Sequence, residues 1–340
     1  MVYSETVNSE AKTNKEWPGW YYEIKAYERP RLRAAAVQIL NSFIPYFVLL
    51  GLMVYTVKKE YSYFVTLAVA AVAAGFMVRI FIIFHDCTHL SFFESKRANR
   101  IVGYIAGIVT LTAFDDWQWC HGRHHTTAGD LDRQGVGAIG VMTVDEYSKA
   151  SKWKRLGYRF ARNPLVLFGL APSALFILSQ RFTKGPSLRQ RKSVIITNVS
   201  ILIIAAAASF AIGFGTVLKV VLPVMMIAET IGVWLFYIQH NFAGMYWAHH
   251  DEVDKMRVAL EGSSFYNLPG VLRWFTGNIG YHNLHHVRTH IPNYNLRRCY
   301  ESTPALNNIK GLTIRGSLKS LKLHLWDEER RQLVGFAAAN

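Results

Sequence analysis

Four long apolar runs, residues 34–57, 61–84, 194–213 and 217–238, alternate along the chain with charged and aromatic stretches. They are 20 to 24 residues long. At about 1.5 Å per residue, helices of that length cross the roughly 30 Å of a bilayer's hydrocarbon. Lys58-Lys59-Glu60 joins the first run to the second, and Gly213-Phe214-Gly215 joins the third to the fourth, so the pattern predicts two helical hairpins. Pro45 predicts a kink in the first. Arg79 lies near the end of the second, where it can snorkel. Two other apolar runs do not qualify. Residues 101–114 reach only about 21 Å as a helix, so they are expected to lie in or dip into the interface. Residues 164–180 contain Gly169 and Pro172, have basic residues on both flanks, and are expected to be interfacial or re-entrant.

Half of the 340 residues are hydrophobic, 51%, and 14% are aromatic. A soluble chain of this length would divide into two domains. With the apolar residues concentrated in spans, one membrane domain over residues 19–340 is expected instead, after a disordered polar lead at 1–18. That lead lacks the basic-then-apolar layout of a signal peptide. The net charge of +15 does not point to nucleic acid, because the basic residues border the apolar runs. Arg29, Arg31 and Arg33 precede the first, Lys58 and Lys59 follow it, and Lys96, Arg97 and Arg100 lie beyond the second. This bias places the hairpin ends and both termini in the cytoplasm. The basic stretches 152–162 and 181–192 read as borders of the same kind, or as docking ground for an acidic electron carrier. Cys87, Cys120 and Cys299 are isolated and form no disulfide framework; Cys87 and Cys120 read as small packing residues.

Histidines carry the chemistry. Eight of the thirteen lie in three clusters: His85 and His89; His121, His124 and His125; His282, His285 and His286. On a helix, spacings of three and four residues share one face. Clusters that share a site lie on one side of the membrane, so an even number of crossings separates them. This parity removes residues 101–114 and 164–180 as spans and leaves four. Imidazole suits zinc, copper, iron and nickel. A structural zinc takes four ligands and a catalytic one three plus water, so eight histidines are too many for one such ion. Two metals with four or five nitrogens each account for them. The Glu-x-x-His pattern of soluble di-iron bundles is absent from the clusters. Carboxylates should orient the ligands and offset the charge, and Asp86, Asp115, Asp116, Asp130 and Asp132 are near in sequence. Glu229 is a charge within the fourth run. Such a residue is a functional candidate; it reads as a binder of a polar group, a partner of Arg79, or a packing residue.

The stretches Phe84-His85-Asp86-Cys87-Thr88-His89, His121-Gly122-Arg123-His124-His125, and Gly277 through Tyr281-His282-Asn283-Leu284-His285-His286 resemble the three histidine boxes of the membrane fatty acid desaturases and hydroxylases, in type, order and separation. Phe236-Tyr237-Ile238-Gln239-His240-Asn241 resembles a further element of that family, in which an additional histidine completes the metal site. The resemblance covers residues 35–330. Segments 261–268 and 292–296 are most similar to bacterial acyl-lipid desaturases of the delta-5 and delta-12 type. It implies an all-α integral membrane protein whose cytoplasmic histidine-rich cap holds two irons, in a bacterial inner membrane. It implies His85, His89, His121, His124, His125, His240, His282, His285 and His286 as ligands, with Asn241 among the supporting residues. The implied reaction uses O2 and two electrons to place a cis double bond in an acyl chain of a membrane lipid. No H-P-G-G haem motif is present, so the electron donor is a separate protein such as ferredoxin or cytochrome b5. His249, His250, His290 and His324 read as surface or supporting residues, the first two being the rivals of His240. A hydroxylase of the same fold shares these boxes. A membrane receptor or transporter with a structural zinc is the alternative outside enzymes.

Overall fold

The computed structural model describes residues 17–135 and 139–339. The expected lead at 1–18 falls almost wholly outside them. Among the described residues, four helices are long and apolar enough to cross a membrane: Leu32–Lys58, Tyr63–Thr88, Leu188–Ile212 and Phe214–His240, of 27, 26, 25 and 27 residues. These make the chain a multi-pass membrane protein. Each helix outruns the apolar run that predicts it, because backbone hydrogen bonding continues into the polar ends. The second helix carries the first histidine cluster almost to its last residue, and the fourth ends on His240. The third begins earlier than its apolar run, at Leu188, where Ser187 and Gln190 form a capping box. Its first turns therefore carry Arg189, Arg191 and Lys192.

The second span is the centre of the bundle. The first span, the fourth span and the helix Lys96–Val109 all pack on it. Ala70, Ala73 and Ala74 let helices approach closely, and the Thr56 and Thr66 hydroxyls pair at 2.9 Å between the first two spans. The third span lies outermost, with Ile196, Leu202, Ile203 and Phe210 exposed for contact with lipid.

Neither doubtful run forms one of these four helices by itself. Lys96–Val109 has 14 residues, is capped by the Ser95 hydroxyl, and ends at a left-handed turn at Leu111 (φ 55°). Residues 166–181 form a broken helix bent by 58° from Lys152–Ala161. The carbonyl of Phe168 accepts from Thr230, and its ring meets Trp234 and Tyr237, all within the last turns before His240. Further along, Phe176 meets Phe81, four residues before His85, and Arg181 donates to the Leu111 carbonyl. Phe168 and Phe176 thus both pack on the last turns of the helices that end in histidines. The helix Lys152–Ala161 exposes Trp153, Leu156 and Phe160 on one face and carries Lys152, Arg155 and Arg159 elsewhere. That layout fits a helix lying in the interface.

The structure is mostly helical but not wholly. Met142–Thr143 pairs in parallel with Leu325–Asp327, which pairs antiparallel with Gln332–Val334. Strands of two and three residues are too short to show a period in sequence. The segment after Trp17 joins the cap. It packs Ile24 against the Tyr281–Leu284–Ile291 cluster, and Glu28 pairs with Arg288 at 2.7 Å.

His249 pins the cap. Its Nδ1 lies 2.9 Å from the Asp132 carboxylate and its Nε2 3.0 Å from that of Glu328. These hydrogen bonds, Asp132 first and then Glu328, raise its pKa above the ordinary value. A raised folded-state pKa stabilises fully at pH below the ordinary value and is lost as pH climbs through the folded one. We expect His249→Gln to lower the thermal midpoint at about pH 6 and to leave it unchanged at about pH 9. An equal shift at both would contradict the pairing.

Candidate metal centre

All nine histidines converge. Ligand nitrogens of His85, His89, His121, His125 and His285 lie within 4.8 Å of one another, and so do those of His124, His240, His282 and His286. The spacing in sequence explains the division. In each H-x-x-H-H stretch the i and i+4 residues serve one group and the i+3 residue the other. His121 and His125 join the five-membered group while His124 joins the four-membered one; His282 and His286 join the four while His285 crosses to the five. The two short helices therefore knit the groups together.

The helix ends present these residues. His85 is on the last turn of the second span and His89 caps it. His240 is the last residue of the fourth span. The second cluster rides on Phe114–Thr127 and the third on the six-residue helix His282–Val287. The turn into that last helix uses left-handed backbone at Gly277 (φ 51°) and Asn278. A Cβ at Gly277 would stand 2.8 Å from a methyl of Ile82, so glycine lets the turn press against the second span.

The nitrogens are spaced as edges of a metal polyhedron. The Nε2 atoms of His124 and His240 are 3.0 Å apart, His240 and His282 2.9 Å, and His282 and His286 3.0 Å. In the other group His121 and His125 are 3.0 Å apart and His125 and His285 3.1 Å. Two ligands about 2.1 Å from one ion stand about 3.0 Å apart at a right angle and about 3.4 Å apart at the tetrahedral angle. The observed spacings of 2.9 to 3.1 Å are short enough for each pair of nitrogens to reach one ion. Nε2 of His85 and of His89 are buried without a hydrogen-bond partner, as donors kept for a metal would be. Burial first, and then neighbouring imidazoles, hold His121, His125, His282, His285 and His286 well below their ordinary pKa; the same causes act on His89 and His124. The rings are neutral at neutral pH, the form that binds metal. The donor set fits a pair of metal ions.

Of the proposed supporting residues, Asp86 meets a box histidine: its Oδ1 lies 3.0 Å from Nδ1 of His85. Its Oδ2 accepts from the Asn293 backbone at 2.6 Å and side chain at 2.8 Å. The remaining five make other contacts. Asp115 accepts from Arg100 and Arg189, each at 2.8 Å, and from Tyr104 at 2.6 Å. Burial pushes its carboxyl up, but these donors and the charges of Arg100 and Arg189 outweigh burial and hold it below its ordinary value. Asp116 accepts from the backbone of Lys184 and Gly185. Asp130 holds His250, Asp132 holds His249, and Asn241 donates to the Tyr237 hydroxyl and to carbonyls of Ser320 and Leu323. These five assemble the scaffold around the ligands, and the pair His249–His250 faces carboxylates instead of the histidine groups. His324 stacks on Phe336. Trp117, one turn before His121, stacks on that ring at 4.2 Å. Its spacing of four from His121 was a legible signal that sequence reasoning passed over.

A cavity of about 650 Å³ opens beside the centre. His85, His121 and His282 form part of its wall, and most of the remainder is apolar, including Phe81, Leu175 and Phe236. Its size is within the range of small-molecule and cofactor sites.

The fatty acid desaturase family model matches residues 62–310. A fatty acid desaturase of Bacillus subtilis is 43% identical over 317 residues, covering 93% of this chain and 90% of its own. The chain belongs to the fatty acid desaturase family. This desaturase is an oxidoreductase that acts on acyl chains, and more distant relatives surround it. An sn-1 acyl-lipid omega-3 desaturase (ferredoxin) of Synechocystis is 26% identical over 237 residues, 66% of this chain and 63% of its own. The oleoyl-12-hydroxylase of Ricinus communis is 25% identical over 324 residues, 86% of this chain and 80% of its own.

Proposed function

We propose that His85, His89, His121, His125 and His285 hold one iron and His124, His240, His282 and His286 a second, and that this pair desaturates an acyl chain of a membrane lipid. The observation that carries the reading is the opening of one mainly apolar cavity onto both histidine groups, at His85 and His121 of the first and His282 of the second. The irons supply the redox chemistry: two hydrogens leave adjacent methylenes, two electrons come from a donor with two protons, and O2 ends as two waters. The protein's share is placement. Phe81, Ile82, Leu175 and Phe236 exclude water from the cavity and hold the chain against His85, His121 and His282. Trp117 and Asp86 fix the rings of His121 and His85. The donor is a separate protein; a ferredoxin is favoured by the name of the Synechocystis relative. The basic borders support a centre and termini on the cytoplasmic side of a bacterial membrane, with residues 19–340 read as one unit.

The test is expression in a host lacking unsaturated fatty acids, followed by mass analysis of its lipids. Loss of two hydrogens with a cis bond is expected. Gain of one oxygen would overturn desaturation in favour of hydroxylation, the reading that the Ricinus relative keeps in view.

A further inference from the structure

The lining of the cavity includes one carboxyl group, that of Glu229. Along the fourth span its wall runs from Ala228 and Glu229 through Gly232, Val233 and Phe236 to Gln239. Glu229 is 4% exposed, and neither carboxyl oxygen has a hydrogen-bond partner. The Ser173 hydroxyl lies beside it without completing a hydrogen bond. Arg79, one of the partners considered from sequence, instead stacks its guanidinium 4.0 Å over Trp274 and donates to that residue's carbonyl. Glu229 is thus a buried carboxyl, with neither oxygen in a geometrically complete hydrogen bond, on the wall of a mainly apolar cavity. In either charge state, covering it with hydrocarbon is unfavourable.

We propose that Glu229 is the floor of the acyl cavity and limits the length of chain that this desaturase accepts. The proposal rests on the reading of the cavity as the acyl site. Glu229 lies 11 residues before His240 (240 − 229), about 16 Å along the helix. An extended chain advances about 1.25 Å per carbon, from bonds of about 1.5 Å at about 111°. About 13 carbons therefore fit between the metal centre and the floor. A longer methyl end must lie against the carboxyl, and its binding is weakened accordingly. Gly232 provides an independent handle. It lines the same wall one turn nearer the centre, and a Cβ there would meet nothing within 4 Å. A side chain at this position projects into the tube without disturbing the bundle.

The experiment supplies saturated acyl chains of graded length, in competition, to cells expressing the full chain, and reads the fraction of each desaturated. Glu229→Leu is expected to raise conversion of chains about four carbons over the native limit by about tenfold relative to native-length chains. Glu229→Gln keeps a polar floor and should keep the native limit. Gly232→Val should move the limit down by about four carbons, since it lies three residues, about 4.5 Å, closer. A structural role for Glu229 would lower conversion of all lengths alike. Unchanged length profiles in Glu229→Leu overturn the proposal, as does a native limit in Gly232→Val; the latter decides if Glu229→Leu does not accumulate. A native chain that desaturates no length overturns the acyl-site reading itself, whereas normal desaturation with unmoved limits overturns only the floor.

Discussion

His124→Ala is expected to abolish desaturation and to release one of two bound metal ions while the chain still inserts in the membrane. His124 is buried and belongs to the group of four, whose other members are His240, His282 and His286. Its neighbours in sequence, His121 and His125, belong to the group of five. The three remaining nitrogens of the smaller group make a poor cage, and metal leaves it first. His285→Ala should act on the other group, which loses one of five ligands and keeps four. The loss of metal should therefore be deeper for His124→Ala than for His285→Ala, with activity absent in both. Metal quantification on the purified variants, together with lipid analysis of the expressing cells, checks this. Product formation by His124→Ala at the native level would remove the basis for assigning that group.

Asp86→Asn should reduce activity by about 10–100-fold, the usual effect of removing a group that orients a metal ligand. Asp86 does two things at once. Oδ1 fixes the ring of His85, and Oδ2 binds both the backbone and the side-chain nitrogen of Asn293, 207 residues away in sequence. An amide nitrogen placed at either position faces donors rather than acceptors. A buried donor left without its acceptor costs about 1–3 kcal/mol, so lowered thermal stability should accompany the lost activity. Stability and lipid product measured on the same preparation distinguish the contributions. An Asp86→Asn enzyme with native stability and native product would contradict both roles.

Much of this arrangement was legible in the chain. Hydropathy located four spans because hydrocarbon demands continuous apolar faces. The histidine spacings of three and four announced helical faces. The resemblance brought in His240, which has no cluster of its own. Other features were illegible for physical reasons. The division of nine histidines into five and four depends on how two short helices face each other, a tertiary relation with no local pattern. Asp115, Asp116, Asp130 and Asp132 lie five to seven residues from the nearest box histidine, and they bind arginines, backbone amides and histidines outside the two groups. Adjacency to His85 was the legible signal for Asp86; its second partner, Asn293, was not legible. The small sheet of the cap joins residues 142–143 to 325–327, and its strands are shorter than any recognisable alternation. Glu229 stood out as a charge in a span, but its relation to the cavity needed the helices on either side.

The central claim is that the histidines form two sites, both filled by iron. Quantifying iron and zinc per chain, after gentle purification of the native protein from cells grown with both metals, tests it most directly. The account predicts two irons per chain and negligible zinc. One zinc per chain, with no iron, would contradict it.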